Sequence, residues 1–196
     1  MAITTDQIKA LRDKTGISVM QCKKALEEAG GDMEKAMIVL RRKGADIASK
    51  KVDRTLGAGA VASYIHANGS IGSLVELFCE TDFVSNNEEF KVLARDIAMQ
   101  VAATKPEFLK REDISEDSKK AALEVLQKEV EGKPEDMKAK ILEGKLGAYF
   151  EDKVLFEQSF IKNDELTIEQ LISNAVQKFG EKIEIGRFVY FSIGNR

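Results

Sequence analysis

The sequence predicts an α+β fold in which a small helical head precedes a larger core with an antiparallel sheet. Two β-rich runs meet at an Asn-Gly dipeptide within residues 59–80, and amphipathic helical patterns fill most of the remaining chain. Strands and helices do not alternate regularly, so a parallel α/β sheet is not expected. The 196 residues are enough for a small domain followed by a larger one.

Composition places the chain among ordinary globular proteins, with 43% hydrophobic and 32% charged residues. The formal net charge of -3 argues against a strongly basic nucleic-acid binder. The sequence has no apolar run of about 18 residues, no signal-like N-terminal pattern and no cysteine framework for disulfides. We therefore expect a cytoplasmic protein that binds neither membranes nor nucleic acid.

Charge is distributed unevenly along the chain. Residues 1–56 hold 12 Lys and Arg against 8 Asp and Glu, whereas the remainder holds 18 against 25. A charged, glycine-punctuated segment lies between Ala45 and Gly59. These features predict two domains, at residues 1–54 and 55–196.

Three short helices are predicted in the head. Thr4 with Gln7, and Ser18 with Gln21, have the spacing of capping boxes, and Asp32 is the expected N-cap of the third helix. Three such helices bury only a small core, and mini-domains of this kind are commonly binding modules.

The core is predicted to contain a three-stranded antiparallel sheet. Residues 59–66 and 71–80 are rich in β-branched and aromatic residues, and Asn68-Gly69 between them favours a type I′ turn with positive φ at both positions. Residues 183–193 have the pattern of a third, closing strand.

Helices account for most of the rest of the predicted core. One begins at Asn86 or Asn87 and ends at Lys105. Further helices are predicted over residues 115–131, 134–152 and 167–179. Residues 153–162 are apolar, but their pattern does not indicate whether they form a helix or a strand.

No constellation typical of catalysis or metal binding is found in the sequence. The glycine-rich nucleotide motifs are absent, and the single histidine, His66, cannot form a His-rich metal site. Cys22 and Cys79 fit buried positions of a helix and a strand. We expect no catalytic residues, no metal and no cofactor, and a protein that is not an enzyme.

One segment has two interpretations. Asp82 and Phe83 follow the second strand and precede a helix. The aromatic ring of Phe83 either points inward and staples the helix or stands exposed beside an acid as an anchor for a partner. The pattern of residues alone leaves both open.

Two long motifs resemble those of the translation elongation factor Ts family. They are residues 11–26 (LRDKTGISVMQCKKAL) and 76–86 (ELFCETDFVSN), and their order and separation also fit. The resemblance covers essentially the whole chain. Phe78 departs from the Asn usual in the family, which bears on local strand packing, and Val19 replaces a common Met.

The resemblance implies a ubiquitin-associated-like head of three helices and an α+β core. Longer family members have two related core subdomains, whereas this chain resembles the short type with one. Short members are expected to form homodimers that serve two molecules of elongation factor Tu. The apolar segment from Phe188 to Ile193 is a candidate for that interface.

The resemblance also implies a guanine nucleotide exchange factor, which releases GDP from the GTPase elongation factor Tu so that GTP can bind. The partner would be bound in its GDP-bound and nucleotide-free forms, without direct nucleotide binding by this chain. Carried over residue by residue, the contact residues of the head are Val19, Met20 and Lys23, with Lys51 as a weaker candidate. In the core, the motif that disturbs the partner's Mg²⁺ and phosphate site is Thr81, Asp82, Phe83 and Val84.

Two other functions fit the residues less well. One is an adaptor that binds partners through its ubiquitin-associated-like head without exchange activity. The other is a nucleic-acid-binding protein that uses the basic head, which the acidic body disfavours.

Overall fold

The chain is described by a computed structural model that covers residues 3–130 and 135–194. Helices and strands alternate irregularly along the chain, as an α+β fold requires. In chain order they are α1 Thr5–Thr15, α2 Val19–Glu28, α3 Met33–Ser49, β1 Ala58–Ile65, β2 Ile71–Cys79, α4 Asp82–Ser85, α5 Glu88–Thr104, α6 Glu116–Glu129, α7 Glu135–Glu151, β3 Ser159–Phe160, β4 Asn163–Thr167, α8 Ile168–Phe179 and β5 Ile183–Ser192. The predicted break between α6 and α7 at residues 132–134 lies outside the described residues.

The three predicted head helices are confirmed, and their N-termini begin where the sequence places them. Thr4 Oγ1 accepts from the N–H of Gln7 at 3.2 Å, and Gln7 Oε1 accepts from the N–H of Thr4 at 3.0 Å, so this capping box is complete. Ser18 caps α2 by accepting from the N–H of Gln21, but the Gln21 side chain does not return the bond. The helices enclose a small core of their own, formed by Leu11, Ile17, Cys22, Ala25, Leu26, Ala36 and Leu40.

The predicted three-stranded antiparallel sheet is also confirmed. Its order is β1-β2-β5, so the predicted hairpin forms two strands and the closing strand pairs with β2. One face packs against α5 and α8, because alternate residues of each strand point inward. The buried side chains of this layer include Val75, Leu77, Phe90, Ile97, Ile168, Val176 and Ile185.

The turn between β1 and β2 differs from the predicted type I′ turn. Gly69 has a positive φ of +70°, whereas Asn68 does not adopt a positive φ. The connection is longer: His66 accepts from Gly69 at 2.7 Å and donates its N–H to Ile71 at 2.9 Å. The Asn68 side chain accepts from the N–H of Ser70 instead. One left-handed residue therefore suffices to reverse the chain.

The ambiguous segment 153–162 forms neither a long helix nor a long strand. It contains a single 3₁₀ turn at Leu155–Glu157 and the short strand β3, which pairs with β4. The buried Gln100 of α5 holds this irregular backbone, since its amide donates to Ser159 O at 3.1 Å and accepts from the N–H of Ile161 at 2.9 Å. A polar side chain from a distant helix replaces regular secondary structure here.

Phe78 lies on the outer face of the sheet, between glycines of both neighbouring strands. A Cβ atom on Gly59 would lie 3.1 Å from the ring, and one on Gly186 would overlap it. The ring therefore occupies space that the missing side chains leave free. This packing explains how the sheet accommodates an aromatic ring at position 78.

Helix α3 joins the head to the core by packing closely against α8. A Cβ atom on Gly44 would lie 2.8 Å from Ser173 Oγ and 3.3 Å from Gln177 Oε1. The Arg41 guanidinium donates to the backbone oxygen of Glu165 at 2.9 Å on the same side. The close approach depends on the absence of a side chain at Gly44.

Replacing Gly44 with alanine is expected to lower the free energy of unfolding by about 1 kcal/mol. The added methyl group crowds the Ser173 hydroxyl, and this cost of about 1–3 kcal/mol exceeds the gain of up to about 1 kcal/mol from the better helix propensity of alanine. Chemical denaturation followed by circular dichroism measures this change. Removing the hydroxyl as well, in Gly44→Ala with Ser173→Ala, should recover most of the loss.

Gly144→Ala on α7 is the matched control, since an added Cβ meets no described atom within 4 Å. Here the better helix propensity of alanine should raise stability by up to about 1 kcal/mol. A Gly44→Ala protein as stable as Gly144→Ala would contradict the close helix packing.

Candidate partner-binding site

The segment after β2 presents an aromatic side chain to solvent. The chain leaves β2 at Cys79 and enters the one-turn helix α4 at Asp82, after two intervening residues. Phe83 is 82% exposed, and Asp82 beside it is also exposed. Of the two interpretations left open by the sequence, the structure therefore adopts the exposed one.

The turn that bears Phe83 is anchored from inside. Val84, the next residue, is only 3% exposed and belongs to the same buried cluster as Phe90. The Cys79 thiol donates to Thr81 O at 3.2 Å. Burial raises the pKa of the Cys79 thiol, as does the nearby Glu181 carboxylate, so the sulfur keeps the proton that it donates. Val84 thus holds the turn rather than presenting its side chain outward.

Two glutamates that the sequence analysis did not single out link the residues before Phe83 to residues 181–182. Glu181 Oε2 accepts from the N–H groups of Glu80 and Thr81 at 3.1 and 3.0 Å. Glu80 Oε1 accepts from the N–H of Lys182 at 2.6 Å. Glu80 and Thr81 lie about a hundred residues before Glu181 and Lys182 in the sequence, so no local pattern predicts these contacts.

Glu80 also forms ion pairs with two cations of the segment that follows α3. Arg54 donates to its Oε2 at 2.9 Å, and the Lys51 ammonium lies 3.7 Å from its Oε1. Partial burial opposes ionisation, but the Lys182 N–H and these two cations outweigh it and lower the pKa of Glu80. The carboxylate is therefore ionised at neutral pH.

The head presents a second exposed apolar feature. Val19 and Met20 occupy the first turn of α2 and are 52% and 69% exposed. Lys23 lies one turn further on and forms an exposed ion pair with Glu27 at 3.8 Å. The opposite side of α2 is buried in the head, which leaves these three residues on the surface.

Lys51 is placed differently from the other predicted contact residues. Its side chain is 12% exposed, and its ammonium donates to Gly180 O at 2.6 Å. The lysine therefore bridges the segment after α3 to the turn between α8 and β5. The predicted residues accordingly form two surface features, one on α2 and one on α4, and Lys51 lies inside the junction next to the second.

A groove in the structure lies apart from both surface features. A groove of about 1020 Å³ lies between α3, α8 and the start of β5, with Arg41, Phe156 and Ile172 among its lining residues. Neither Met20 nor Phe83 lines that groove. Within residues 3–130 and 135–194, no three His, Cys, Asp or Glu side chains are grouped as metal ligands, and no helix is long and apolar enough to cross a membrane.

The fold and these two features define the class of protein. A three-helix head and an α+β core each expose an apolar anchor beside a charged side chain, which is typical of modules that bind other proteins.

Comparison with known proteins identifies the family. The family model described as elongation factor TS matches residues 18–195. Elongation factor Ts of Thermodesulfovibrio yellowstonii is 49% identical over 195 residues, which cover 99% of this chain and 98% of that protein. The protein of the same name from Desulforamulus reducens is 48% identical over 194 residues, or 98% of this chain and 89% of that protein. The chain therefore belongs to the elongation factor Ts family of translation elongation factors.

The Glu80 carboxylate is expected to stabilise the protein at neutral pH by about 1 kcal/mol relative to Glu80→Gln. Because its pKa is lowered by folding, this stabilisation is fully present above the unfolded-state pKa of about 4.3. It is lost as the pH falls through the lower folded-state value. Urea unfolding of both proteins from about pH 7 to about pH 3 measures the difference.

Glu124→Gln, at an exposed position of α6, controls for the loss of one negative charge. A difference between the wild-type protein and Glu80→Gln that did not change with pH would contradict the role given to the Glu80 carboxylate.

Proposed function

We propose that this protein is a guanine nucleotide exchange factor that acts in the cytoplasm and releases GDP from elongation factor Tu during translation elongation. The observation that carries the proposal is the exposed Phe83 on an anchored turn, within a motif that matches the family. The factor makes and breaks no covalent bond and needs no cofactor of its own.

The proposed mechanism acts on the metal and phosphate site of the partner. A P-loop GTPase holds GDP through backbone N–H groups around the β-phosphate and through Mg²⁺. Mg²⁺ requires nearly octahedral geometry, so small shifts of the surrounding groups weaken its binding. Phe83 inserts between helices of the partner near this site, and Asp82 acts on polar groups beside it. Thr81 and Val84 hold the turn in the required conformation.

Exchange follows from the linkage between the two ligands of the partner. The factor binds nucleotide-free elongation factor Tu more tightly than the GDP-bound form. GDP must then weaken binding of the factor by the same ratio. Each factor of ten in this coupling corresponds to about 1.4 kcal/mol. GTP can rebind once GDP has left.

The head supplies docking in this proposal. Val19 and Met20 form an apolar anchor for the nucleotide-binding domain of the partner, and Lys23 adds a cation. We assign this role to a domain of residues 1–54 and the exchange role to residues 55–196, since each has a hydrophobic cluster of its own. Lys51 contributes by joining the two domains.

Phe83→Ala is expected to lower the maximal rate of GDP release by about thirtyfold, as for an interface hot spot. The half-saturating concentration of the factor should change little, because the head is intact. The measurement is release of a fluorescent GDP analogue from elongation factor Tu, chased with GDP, over a range of factor concentrations. Equal losses in rate and in docking would contradict the wedge mechanism.

Met20→Ala is the complementary variant and should raise the half-saturating concentration about tenfold while leaving the maximal rate nearly unchanged. Val125→Ala, at an exposed apolar position of α6, should change neither quantity. A wild-type protein that binds elongation factor Tu without accelerating release would instead favour the adaptor.

The outer face of the sheet is proposed to form a homodimer interface. It exposes large apolar side chains on all three strands: Val61, Ile65, Leu74, Val189 and Phe191. The other face of the same sheet is covered by helices, and large apolar patches are rarely left bare on monomers. A second copy of the chain buries this face when the two sheets pack against each other about a two-fold axis. The resemblance to the short family type implies the same occupant.

Leu74→Arg is expected to convert the dimer to a monomer, because it places a charge at the centre of the proposed interface. Sedimentation equilibrium should show a fall from twice the 21.7 kDa chain mass to the chain mass. Val125→Arg adds the same charge outside the sheet and should leave the mass unchanged. A wild-type protein that is monomeric at micromolar concentration would exclude this interface.

A further inference from the structure

The junction between β2 and β5 continues beyond the last backbone pair of the sheet. The ladder ends where Cys79 faces Ile183. Beyond that pair, the Glu181 carboxylate accepts from the N–H groups of Glu80 and Thr81, and the Glu80 carboxylate accepts from the N–H of Lys182. Each chain segment thus binds the backbone of the other through a side chain. We call this arrangement the carboxylate clamp.

Thr81 is the residue that the clamp fixes most completely. Its N–H donates to Glu181 Oε2 at 3.0 Å, and its hydroxyl donates to Glu181 Oε1 at 2.6 Å. Its carbonyl accepts from the Cys79 thiol. Thr81 occupies the N-cap position of α4, yet its hydroxyl makes no capping bond to that helix. The hydroxyl is used for Glu181 instead.

The clamp matters because an exposed side chain has little packing of its own to fix its direction. Phe83 is two residues beyond Thr81 and is 82% exposed. The direction of its ring is therefore set by the backbone of α4, which Val84 fixes from below and Thr81 fixes at its start. Glu181 is the group that holds Thr81.

Two neighbouring carboxylates would repel each other without nearby positive charge. Arg54 and Lys51 supply that charge to Glu80, and Lys51 also donates to Gly180 O, directly before Glu181. The Lys182 ammonium donates to Val52 O at 2.7 Å. The segment leaving the head is consequently tied to the same turn that carries Glu181.

We propose that Glu181 is a positioning residue for nucleotide exchange, which sets the direction of Phe83 through Thr81 without contacting the partner. This inference rests on the proposed function and adds to it a residue about a hundred positions from the motif. On this proposal the motif depends on a carboxylate outside it, which lies between α8 and β5.

Exchange assays on Glu181→Ala and Glu181→Gln test the proposal. Glu181→Ala should lower the maximal rate of GDP release about tenfold, comparable to the loss of a charge-assisted hydrogen bond. The half-saturating concentration should change less than about twofold, since docking by the head is separate. Glu181→Gln keeps the size of the side chain and one acceptor oxygen, so its maximal rate should lie between those of Glu181→Ala and the wild-type protein.

A double-mutant cycle separates positioning from a general loss of structure. If Glu181 acts through Phe83, then Glu181→Ala has no further effect on the maximal rate in a Phe83→Ala protein. Hydrogen exchange of the backbone amides at residues 80–82 should increase in Glu181→Ala. Glu157→Ala removes a carboxylate that pairs with Arg111 elsewhere and should change neither the rate nor these amides.

The outcomes distinguish this proposal from the function on which it rests. A wild-type protein that fails to accelerate release overturns the exchange function and the positioning role together. A Glu181→Ala protein with a wild-type maximal rate, or one whose effect persists undiminished without Phe83, overturns the positioning role alone. Should Glu181→Ala fail to fold, the same criteria apply to Glu181→Gln.

Discussion

The burial of Val84 is the constraint on which the presentation of Phe83 depends. Successive residues of a helix point about 100° apart, so a single turn cannot bury both side chains in the same space. Val84 enters the cluster that also contains Phe90 and Val75, and this space is then filled. Phe83 is turned outward as a result. The exposure of an aromatic ring here is the geometric consequence of a well-packed neighbour.

The connection between head and core is equally constrained. Helix α3 packs on α8 at Gly44, and the residues after it are held by Lys51, Arg54 and Lys182. A freely flexible linker would allow the head to dock while the core samples many positions. A fixed linker instead raises the effective concentration of the core at its target once the head is bound. In the proposed function, binding by α2 therefore helps to deliver Phe83.

Local sequence patterns predicted most of the fold because their causes are local. The capping box at Thr4 and the closing strand follow from residue spacing alone. The prediction of a type I′ turn was wrong, because the chain forms a longer loop in which Gly69 is the left-handed residue. The hairpin of β3 and β4 was not predicted, because Gln100 of a distant helix stabilises it.

The same difference between local and long-range causes applies to the residues of the candidate site. The motif containing Asp82 and Phe83 is visible in the sequence, but the exposure of the ring depends on how Val84 packs. Glu181 carries no local signal, because its partners are far away along the chain. Lys51 was expected at a surface, yet its ammonium is drawn inward by Gly180 O and Glu80.

The order β1-β2-β5 has a consequence for how the protein is made. Strand β2 is complete at Cys79, but its second neighbour begins only at Ile183. During synthesis one edge of the hairpin therefore stays unpaired, and much of its apolar surface stays exposed, until about a hundred further residues have emerged. Such late, long-range pairing slows folding and leaves intermediates prone to association. A nascent chain that already contains the whole Phe83 motif thus still lacks Glu181 and β5. The hydrogen bonds from the N–H groups of Glu80 and Thr81 to Glu181 cannot form until these later residues have been made.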